Sequence, residues 1–430
     1  MVKRNFIFLA IIIFFQIKLY SQELSWQDCV EAALNNSPEI LSAKAKLEQA
    51  KANSWIVKSY IFPQLSASAS ASKTGNEPFI DNNSLSLLSN TYSESYSYGL
   101  SGKQILFDGF KSLNDINKSN EDLNIAEVNY KITSANIRYK LRQSYINLMK
   151  AQELINITED ILQRRKKQYM DIKLRYEAGK EHKGSLLNAQ AGLSQAEFEY
   201  EQAKRNLILA KEALAKQTGI EEFGDLKVKQ DFNLTMDLNE NPDFDKILLN
   251  NLNYKLLYHQ KKSAEHSYSS FIGSFFPSVY LNASVSKKGD KFLPQDTNWF
   301  FGINLSLPIF DGGFLIAKAK AAKDYLTQIE KDFEYGEKNI LLDIKQTWNN
   351  FFDANENFKI QNQFLQAAIE RSKIADIQYS NGLLNFDNWI IIQDNLVNAK
   401  KVWINSQANL LLSESAWIQI TGGTLEDEKK

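Results

Sequence analysis

The spacing of apolar side chains predicts one very long helix across residues 110–178. No glycine or proline occurs between Phe110 and Ala178. At 1.5 Å per residue such a helix measures about 100 Å, whereas helices of ordinary globular proteins have roughly 11–12 residues. Its apolar residues recur at intervals of seven, the spacing of knobs-into-holes packing between helices. They are Leu141, Leu148, Ile155, Leu162, Tyr169 and Tyr176, joined one turn away by Leu123, Tyr130 and Ile137.

The same unit occurs a second time in the chain. Residues 309–312 (Ile-Phe-Asp-Gly) repeat residues 106–109 (Leu-Phe-Asp-Gly), and another long helix signal then runs to Asn381 with Gly336 as an interruption. The apolar stripe returns as Ile344, Phe351, Phe358, Leu365 and Tyr379. A duplicated pattern of this kind favours one repeat-built domain over several independent domains.

Two constant offsets relate the copies. Gly382 follows Gly179 by 203 residues, whereas Pro277 follows Pro63 by 214. The first copy therefore has 11 more residues (214 less 203) between its proline and its Phe-Asp-Gly turn. We expect the extra residues in a hairpin loop at 75–91, because surface loops accept insertions readily.

We therefore predict a mainly α-helical fold with some β-structure and two internal repeats. Repeat 1 spans residues 23–219 and repeat 2 spans residues 246–423, with a linker at 220–245 and a polar tail at 424–430. Each repeat contains a helix, a β-hairpin, the long helix and a shorter helix. The turns between these elements contain Pro63 and Pro277 (helix to strand) and Asp108, Gly109, Asp311 and Gly312 (strand to helix).

Residues 1–22 read as a secretory signal peptide. Lys3 and Arg4 precede an apolar run at residues 6–15. Ten residues are too few to span a bilayer, which needs about 20, but they suit the apolar part of a signal. We place cleavage near residues 21–22, and the alternative is a buried first helix.

The single cysteine, Cys29, is expected in the core. It would share one helical face with Trp26, Val30, Ala33 and Leu34. One cysteine also allows no intramolecular disulfide, so packing alone must hold an exported chain together.

The segments between the helices alternate with period two, which predicts β-strands with one apolar face. Serines at 66, 68, 70 and 72 alternate with alanines at 67, 69 and 71. On the other predicted strands the large side chains are Tyr92, Tyr96, Tyr98, Leu100, Trp299, Phe301, Ile303, Leu305 and Leu307, and the residues between them include Ser93, Ser95, Ser97, Ser101, Asn298, Gly302, Asn304 and Ser306.

The deciding question is which solvent meets each face. Four strands beside very long helices leave no second sheet to cover an apolar face, so a soluble sandwich is disfavoured. Strands of about ten residues, aromatic on one side and polar on the other, are typical of transmembrane β-barrels. Four strands cannot close a barrel, which takes about eight or more. We infer that other copies of the chain supply the missing strands.

The chain reverses after each long helix. Shorter helices are then predicted at residues 185–217 and 387–420, each followed by a glycine that fits a C-cap. With the helix that precedes the hairpin, which begins at Ser37 and Pro38, they nearly equal the long helix in length. Two short helices stacked end to end could therefore run beside one long helix.

This arrangement resembles the TolC family of outer-membrane efflux and secretion channels. The likeness covers nearly the whole chain after the signal segment. It rests on residues 24–40 (LSWQDCVEAALNNSPEI), the two Phe-Asp-Gly turns, and the reversal segments at 175–190 and 378–393.

The resemblance implies a homotrimer in the outer membrane. Three chains would form a 12-stranded transmembrane β-barrel on a 12-helix periplasmic tunnel, an α-helical barrel of coiled-coil hairpins. The periplasmic tip would dock an adaptor (membrane fusion) protein coupled to an inner-membrane pump. The tip residues for docking and gating are then Tyr176, Gly179, Ser185, Tyr379, Gly382, Asp387 and Asn388.

The tip departs from the family in two respects. Members with an aspartate ring have acidic residues where this chain has Asn388 and Ile391, and Ser185 is the repeat-1 equivalent of Asn388. Asp387 remains acidic, and we interpret it as the cap of the following helix, with a lumen-facing position as the alternative. Leu384 replaces a basic residue that helps to latch the tip in some members.

Composition gives no support for catalysis, cofactor binding or nucleic-acid binding. The three histidines are scattered, and His259 and His266 are seven apart, which does not let one helix face chelate a metal. No phosphate-binding glycine loop is present. A net charge of −1 argues against a nucleic-acid surface. We therefore predict a protein that is not an enzyme, with no cofactor and no metal site.

Three functions remain open. The first is the outer-membrane channel of a tripartite pump that exports drugs, toxic compounds or metals. The second is the outer-membrane component of a type I protein secretion system, since a polar tunnel does not identify its cargo. The third belongs to another class, a soluble periplasmic coiled-coil scaffold, which would not need aromatic strands directed at lipid.

Overall fold

The computed structural model describes residues 23–76, 91–220, 227–229, 234 and 242–429. The predicted signal peptide, most of the predicted loop at 75–91 and most of the predicted linker at 220–245 lie outside these residues.

The first repeat contains four helices and three strands. In chain order they are β1 (Glu23–Leu24), α1 (Trp26–Asn36), α2 (Pro38–Ser59), β2 (Gln64–Asn76), β3 (Thr91–Phe107), α3 (Lys111–Glu177) and α4 (Lys183–Thr218). Helix α1 begins with a capping box, in which Asp28 N–H donates to Ser25 Oγ at 3.2 Å and Ser25 N–H donates to Asp28 Oδ2 at 2.8 Å. Helix α2 has Pro38 in its first turn, but the Ser37 hydroxyl makes no capping bond there.

The second repeat has the same order. Its elements are β4 (Lys227–Val228), α5 (Phe244–Asn250), α6 (Leu252–Gly273), β5 (Ser278–Gly289), β6 (Thr297–Ser306), α7 (Phe314–Ser380), α8 (Phe386–Ile420) and a 3₁₀ turn at Glu426–Lys429. The predicted offsets hold: α7 begins and ends 203 residues after α3, and α6 begins and ends 214 residues after α2. Both long helices have 67 residues.

The 11 extra residues of repeat 1 are not all in the hairpin loop. Between the strand ends lie 14 residues in the first hairpin (77–90) and 7 in the second (290–296), which accounts for 7 of the 11. The remainder lengthens the strands, since β3 has 17 residues against 10 in β6. Pro308, which has no N–H for a ladder bond, follows the shorter strand.

The buried stripe of α3 follows the predicted seven-residue spacing only in part. Leu141 and Leu148 are fully buried, but Tyr176 at the same spacing is 38% exposed. Towards the reversal the buried positions are instead Ile161 and Ile172. A helix of 3.6 residues per turn drifts against a strict seven-residue repeat, so its contact face moves around the helix. The stripe of α7 keeps Phe351 and Tyr379 buried as predicted.

The four long strands form one antiparallel sheet in the order β2-β3-β5-β6. One row across the sheet is Ala67, Leu100, Val285 and Trp299, and the adjacent row is Ser66, Ser101, Ser284 and Phe300. The Oγ atoms of Ser66 and Ser101 lie 2.8 Å apart. Trp299 is 78% exposed, and β2 and β6 have no strand on their outer edges within the part of the chain described.

The strand-to-helix turns contain the residues singled out by the sequence. Asp108 Oδ2 accepts the N–H of Ser112 at 2.9 Å, and Asp311 Oδ2 accepts the N–H of Leu315 at 2.9 Å, so each aspartate satisfies a free donor at the start of a long helix. Gly109 and Gly312 have φ of 68° and 69°, a region that favours glycine. A Cβ on Gly109 would collide with the carbonyl oxygen of Gly273 at the end of α6.

The predicted polar tail is docked against repeat 1. Leu425 is fully buried in a cluster with Cys29 and Ile137. Glu426 accepts the hydroxyl of Tyr130 at 2.6 Å, and Glu428 accepts Nε1 of Trp26 at 2.9 Å. The C-terminal residues therefore tie repeat 2 to α1 and α3 at mid-height, which no periodicity in the sequence indicated.

Among the helices of the described residues, none combines the length and the apolar character of a membrane span.

Cys29 should be inert to thiol reagents in the native protein. Burial, together with the neighbouring Asp28 charge, raises the pKa of the Cys29 thiol to about 12, so the reactive thiolate is scarce at pH 8. We expect maleimide to leave the folded protein unmodified for hours and to add once per chain after unfolding, as measured by intact mass. Rapid modification of the native protein would contradict the burial of α1.

Candidate functional site: the helical tip

Both long helices end in the same glycine-dependent reversal. Gly179 and Gly382 have φ of 72° and 74°. At the first, Lys180 N–H donates to Arg175 O at 2.8 Å; at the second, Leu383 N–H donates to Gln378 O at 2.8 Å. This bond pattern satisfies the last helical carbonyls and requires a left-handed residue, which glycine adopts without strain. An added Cβ would meet no atom within 4 Å at either glycine, so only the backbone conformation selects the residue.

An aromatic cluster fills the tip of repeat 2. The rings of Tyr379 and Trp389 stack with centroids 4.4 Å apart and planes 6° from parallel. Phe386 packs beside both rings, and these three side chains are at most 7% exposed. Ile172 of α3 is buried in the same cluster, which joins the tips of the two repeats.

One carboxylate orients the outer side of this cluster. Asp376 Oδ1 accepts Nε1 of Trp389 at 2.8 Å and Nε2 of Gln393 at 2.9 Å. Gln393 in turn accepts the hydroxyl of Ser372 at 3.2 Å. These bonds fix the indole ring against Tyr379, because a buried indole N–H needs an acceptor.

Tyr379 also contacts repeat 1. Its hydroxyl donates to Glu181 Oε1 at 3.3 Å, and the guanidinium of Arg175 lies over its ring, 4.7 Å from the centroid. Burial, with the charge of Glu181, raises the pKa of Tyr379 to about 12 although Arg175 acts in the opposite direction. The phenol therefore remains a hydrogen-bond donor at physiological pH.

The equivalent positions of repeat 1 lack this contact. Tyr176 occupies the position of Tyr379 but is 38% exposed. Leu384 occupies the position of Glu181 and offers no acceptor, and Leu186 replaces Trp389. The hydrogen-bonded contact is thus formed within one chain, between α7 and the turn before α4, and its repeat-related counterpart cannot form the same bond.

The cap of α8 is Asn385, so the interpretation of Asp387 as the cap is wrong. The N–H of Asn388 donates to Asn385 Oδ1 at 3.0 Å. The helix begins one residue earlier than predicted, and Asp387 lies exposed in its first turn. The equivalent cap of α4 is His182, which accepts the N–H of Ser185 at 3.2 Å and leaves Ser185 only 2% exposed. Ser185 is therefore a buried structural residue, whereas Asp387 and Asn388 face outward.

A charged groove of about 730 Å³ lies between α3, α7 and α8 near the tip. Asp160 on its rim accepts Nζ of Lys400 at 2.6 Å and Nε of Arg164 at 3.2 Å. Partial burial alone would raise the pKa of Asp160, but these two cations hold it below its usual value. Lys401 and Glu199 form a further pair at 2.7 Å. The described residues contain no cluster of three or more potential metal ligands.

The sequence identified some of the tip residues and missed others. It placed Gly179, Gly382 and Tyr379 correctly at the reversals, but it gave no role to Glu181 or Trp389. The Trp389–Gln393 spacing of four places both side chains on one helix face, yet their acceptor, Asp376, lies on another helix and only the fold brings it near.

The chain matches known outer-membrane proteins over nearly its whole length. Residues 29–220 and 245–423 match the Outer membrane efflux protein family. It is 22% identical to the outer membrane efflux protein BepC of Brucella suis (86% of this chain, 80% of BepC). It is 23% identical to the toluene efflux pump outer membrane protein TtgC of Pseudomonas putida (88% of this chain, 78% of TtgC).

Solved channel structures share the fold. The Campylobacter jejuni outer membrane channel CmeC superposes with a TM-score of 0.81 at 20% identity, covering 93% of this chain and 86% of CmeC. The open state of the Neisseria gonorrhoeae channel MtrE gives 0.82 at 18% identity, covering 94% and 90%.

Together these findings define the class: a TolC-like outer-membrane channel, with its helical part in the periplasm, and not an enzyme. The chain belongs to the Outer membrane efflux protein family.

Replacing the observed cap should loosen the start of α8. We expect Asn385→Ala to cost about 1 kcal/mol locally, seen as faster hydrogen exchange of the Asn388 amide. Asp387→Asn should change that exchange less, because an exposed charge in the first turn contributes about 0.3–1 kcal/mol. The reverse order would restore Asp387 as the cap.

Proposed function

We propose that the protein is the homotrimeric outer-membrane channel of a tripartite efflux pump. Three copies would form a 12-stranded barrel in the membrane, and the helical tip would dock a periplasmic adaptor linked to an inner-membrane pump. The observation that carries the proposal is the four-stranded sheet, whose apolar face and two strand edges are uncovered in a single chain. In lipid an unpaired edge is too costly to persist, so closure with other copies is required.

The internal repeat indicates how the copies meet. Within one chain, α3 of repeat 1 packs against α6 of repeat 2, and Gly109 sits directly on Gly273. The repeat-related surfaces are α7 and α2, and Gly312 there has open space around it. Apolar side chains on these surfaces are exposed, for example Ile316 at 68% and Trp55 at 65%. We infer that α7 of one copy packs on α2 of the next.

Mass measurement in mild detergent should find three chains per particle. We also expect Gly312→Ala to weaken the trimer, because it adds a Cβ at the inferred contact and strains a left-handed backbone. Gly179→Ala is the matched control, since it carries the same backbone strain at the tip, remote from this contact. A stable monomer, or equal effects of the two substitutions on trimer dissociation, would contradict this assembly.

The exported cargo is proposed to be small molecules. The names of the relatives include a toluene efflux pump and an antibiotic efflux pump of Pseudomonas putida, which supports small-molecule export over protein secretion. The polar face of the sheet carries mainly serine and asparagine, which suits a water-filled passage that selects weakly.

The tip is proposed to combine docking and gating. The reversals at Gly179 and Gly382 and the exposed residues Tyr176, Asp387 and Asn388 would meet the adaptor. The bond from Tyr379 to Glu181 joins the tips of the two repeats across different helical hairpins. Separating those hairpins would break it, so it would hold the resting tip closed.

Removing this bond should open the resting channel. We expect Tyr379→Phe, which keeps the ring stack on Trp389 but removes the hydroxyl, to raise single-channel conductance in planar bilayers several-fold. A hydrogen bond to a charged acceptor contributes about 1.5–3 kcal/mol. Tyr176→Phe is the matched control in repeat 1 and should leave the conductance unchanged. If both variants behave like the unmodified channel, the bond does not gate the tip.

A further inference from the structure

An aromatic side chain lies on the polar face of the sheet, where its neighbours are small. Phe300 pairs with Ser284, which pairs with Ser101. The residues on either side of it, Trp299 and Phe301, pair with Val285 and Ala283 on the apolar face. Since successive strand residues alternate between faces, Phe300 belongs to the serine face.

The position is specific to repeat 2. At the offset of 203 residues, Trp299 and Phe301 correspond to Tyr96 and Tyr98, so the apolar face is aromatic in both repeats. Phe300 corresponds to Ser97, which lies within hydrogen-bond distance of Ser70, Oγ to Oγ, at 2.9 Å. Alternating apolar patterning therefore does not explain the phenylalanine.

The ring has a defined seat beside it. Gly302 is the next residue along β6 on the same face, and a Cβ there would lie 2.7 Å from Cζ of Phe300. The ring thus leans over a glycine and remains 53% exposed. The neighbouring strand in an assembled barrel would be β2 of the next copy, whose polar face carries serine at four alternate positions and would not cover the ring.

We propose that three Phe300 side chains, one per copy, form an aromatic constriction inside the barrel that limits the size of solutes passing through it. The inference rests on the proposed trimeric barrel with its polar face inward. Twelve strands about 4.8 Å apart and tilted by about 40° enclose a backbone diameter of about 24 Å. Most of the lining consists of small side chains, so three rings narrow the lumen, and apolar constrictions restrict passage in other channels.

The test measures how large a thiol reagent can pass the ring from outside the cell. Asn304→Cys places a thiol on the polar face of β6, four residues nearer the helices than Phe300. Cys29 is buried and does not compete. Intact cells carrying this variant receive membrane-impermeant maleimides of increasing polymer length, and labelling of the folded trimer is followed over time.

We expect the smallest reagent to label the introduced thiol quickly and the larger reagents to label it at least tenfold more slowly. Adding Phe300→Ser, the residue of repeat 1, should raise the rate of the larger reagents about tenfold and leave the smallest unchanged. Phe301→Leu on the apolar face should change neither rate. Ser97→Phe should slow the larger reagents further, and it remains informative if Phe300→Ser fails to assemble.

Two outcomes would overturn the inference in distinguishable ways. If the smallest reagent labels the introduced thiol but the larger ones react equally fast with and without Phe300, the barrel stands and the constriction does not. If no reagent labels that thiol in a folded trimer, the polar face does not line a water-filled lumen, and the proposed barrel fails with it.

Discussion

The structure depends on the need to pair backbone groups at the edges of the sheet. Four antiparallel strands present an apolar face and two open edges, β2 and β6. In water such edges invite association, and in lipid each unpaired N–H and C=O costs several kcal/mol. Closure with other copies removes both edges at once. The long helices follow from this, because each chain has to extend the closed barrel as a tunnel.

Duplication gives two copies of one backbone with different chemistry at matching positions. Tyr379 bonds to Glu181 within a chain, whereas Tyr176 and Leu384 cannot form that bond. The junction between α3 and α6 is polar as well, since His259 and Glu121 lie 2.6 Å apart there. The repeat-related surfaces of α2 and α7 expose apolar side chains instead. Contacts inside a chain and contacts between chains are thus built by different interactions on similar geometry.

The middle of the molecule is held by the chain ends. Residues 23–36 and 424–429 meet on α3, where Leu425, Cys29 and Ile137 are fully buried and Glu428 pairs with Arg138. A protein without a disulfide needs such contacts, because the long helices alone contribute narrow stripes of packing. This region anchors the two repeats to each other while the tip remains held by few bonds.

The sequence by itself determined the long helices, the repeat offsets, the reversals at Gly179 and Gly382, and the two faces of the sheet. These follow from periodicity and from backbone preferences, which are local properties. The tertiary structure decided the rest. It made Asn385 the cap instead of Asp387, moved the buried stripe of α3, and joined Trp389 to Asp376. Those outcomes depend on which helices become neighbours, and a spacing rule along one chain carries no information about a partner helix.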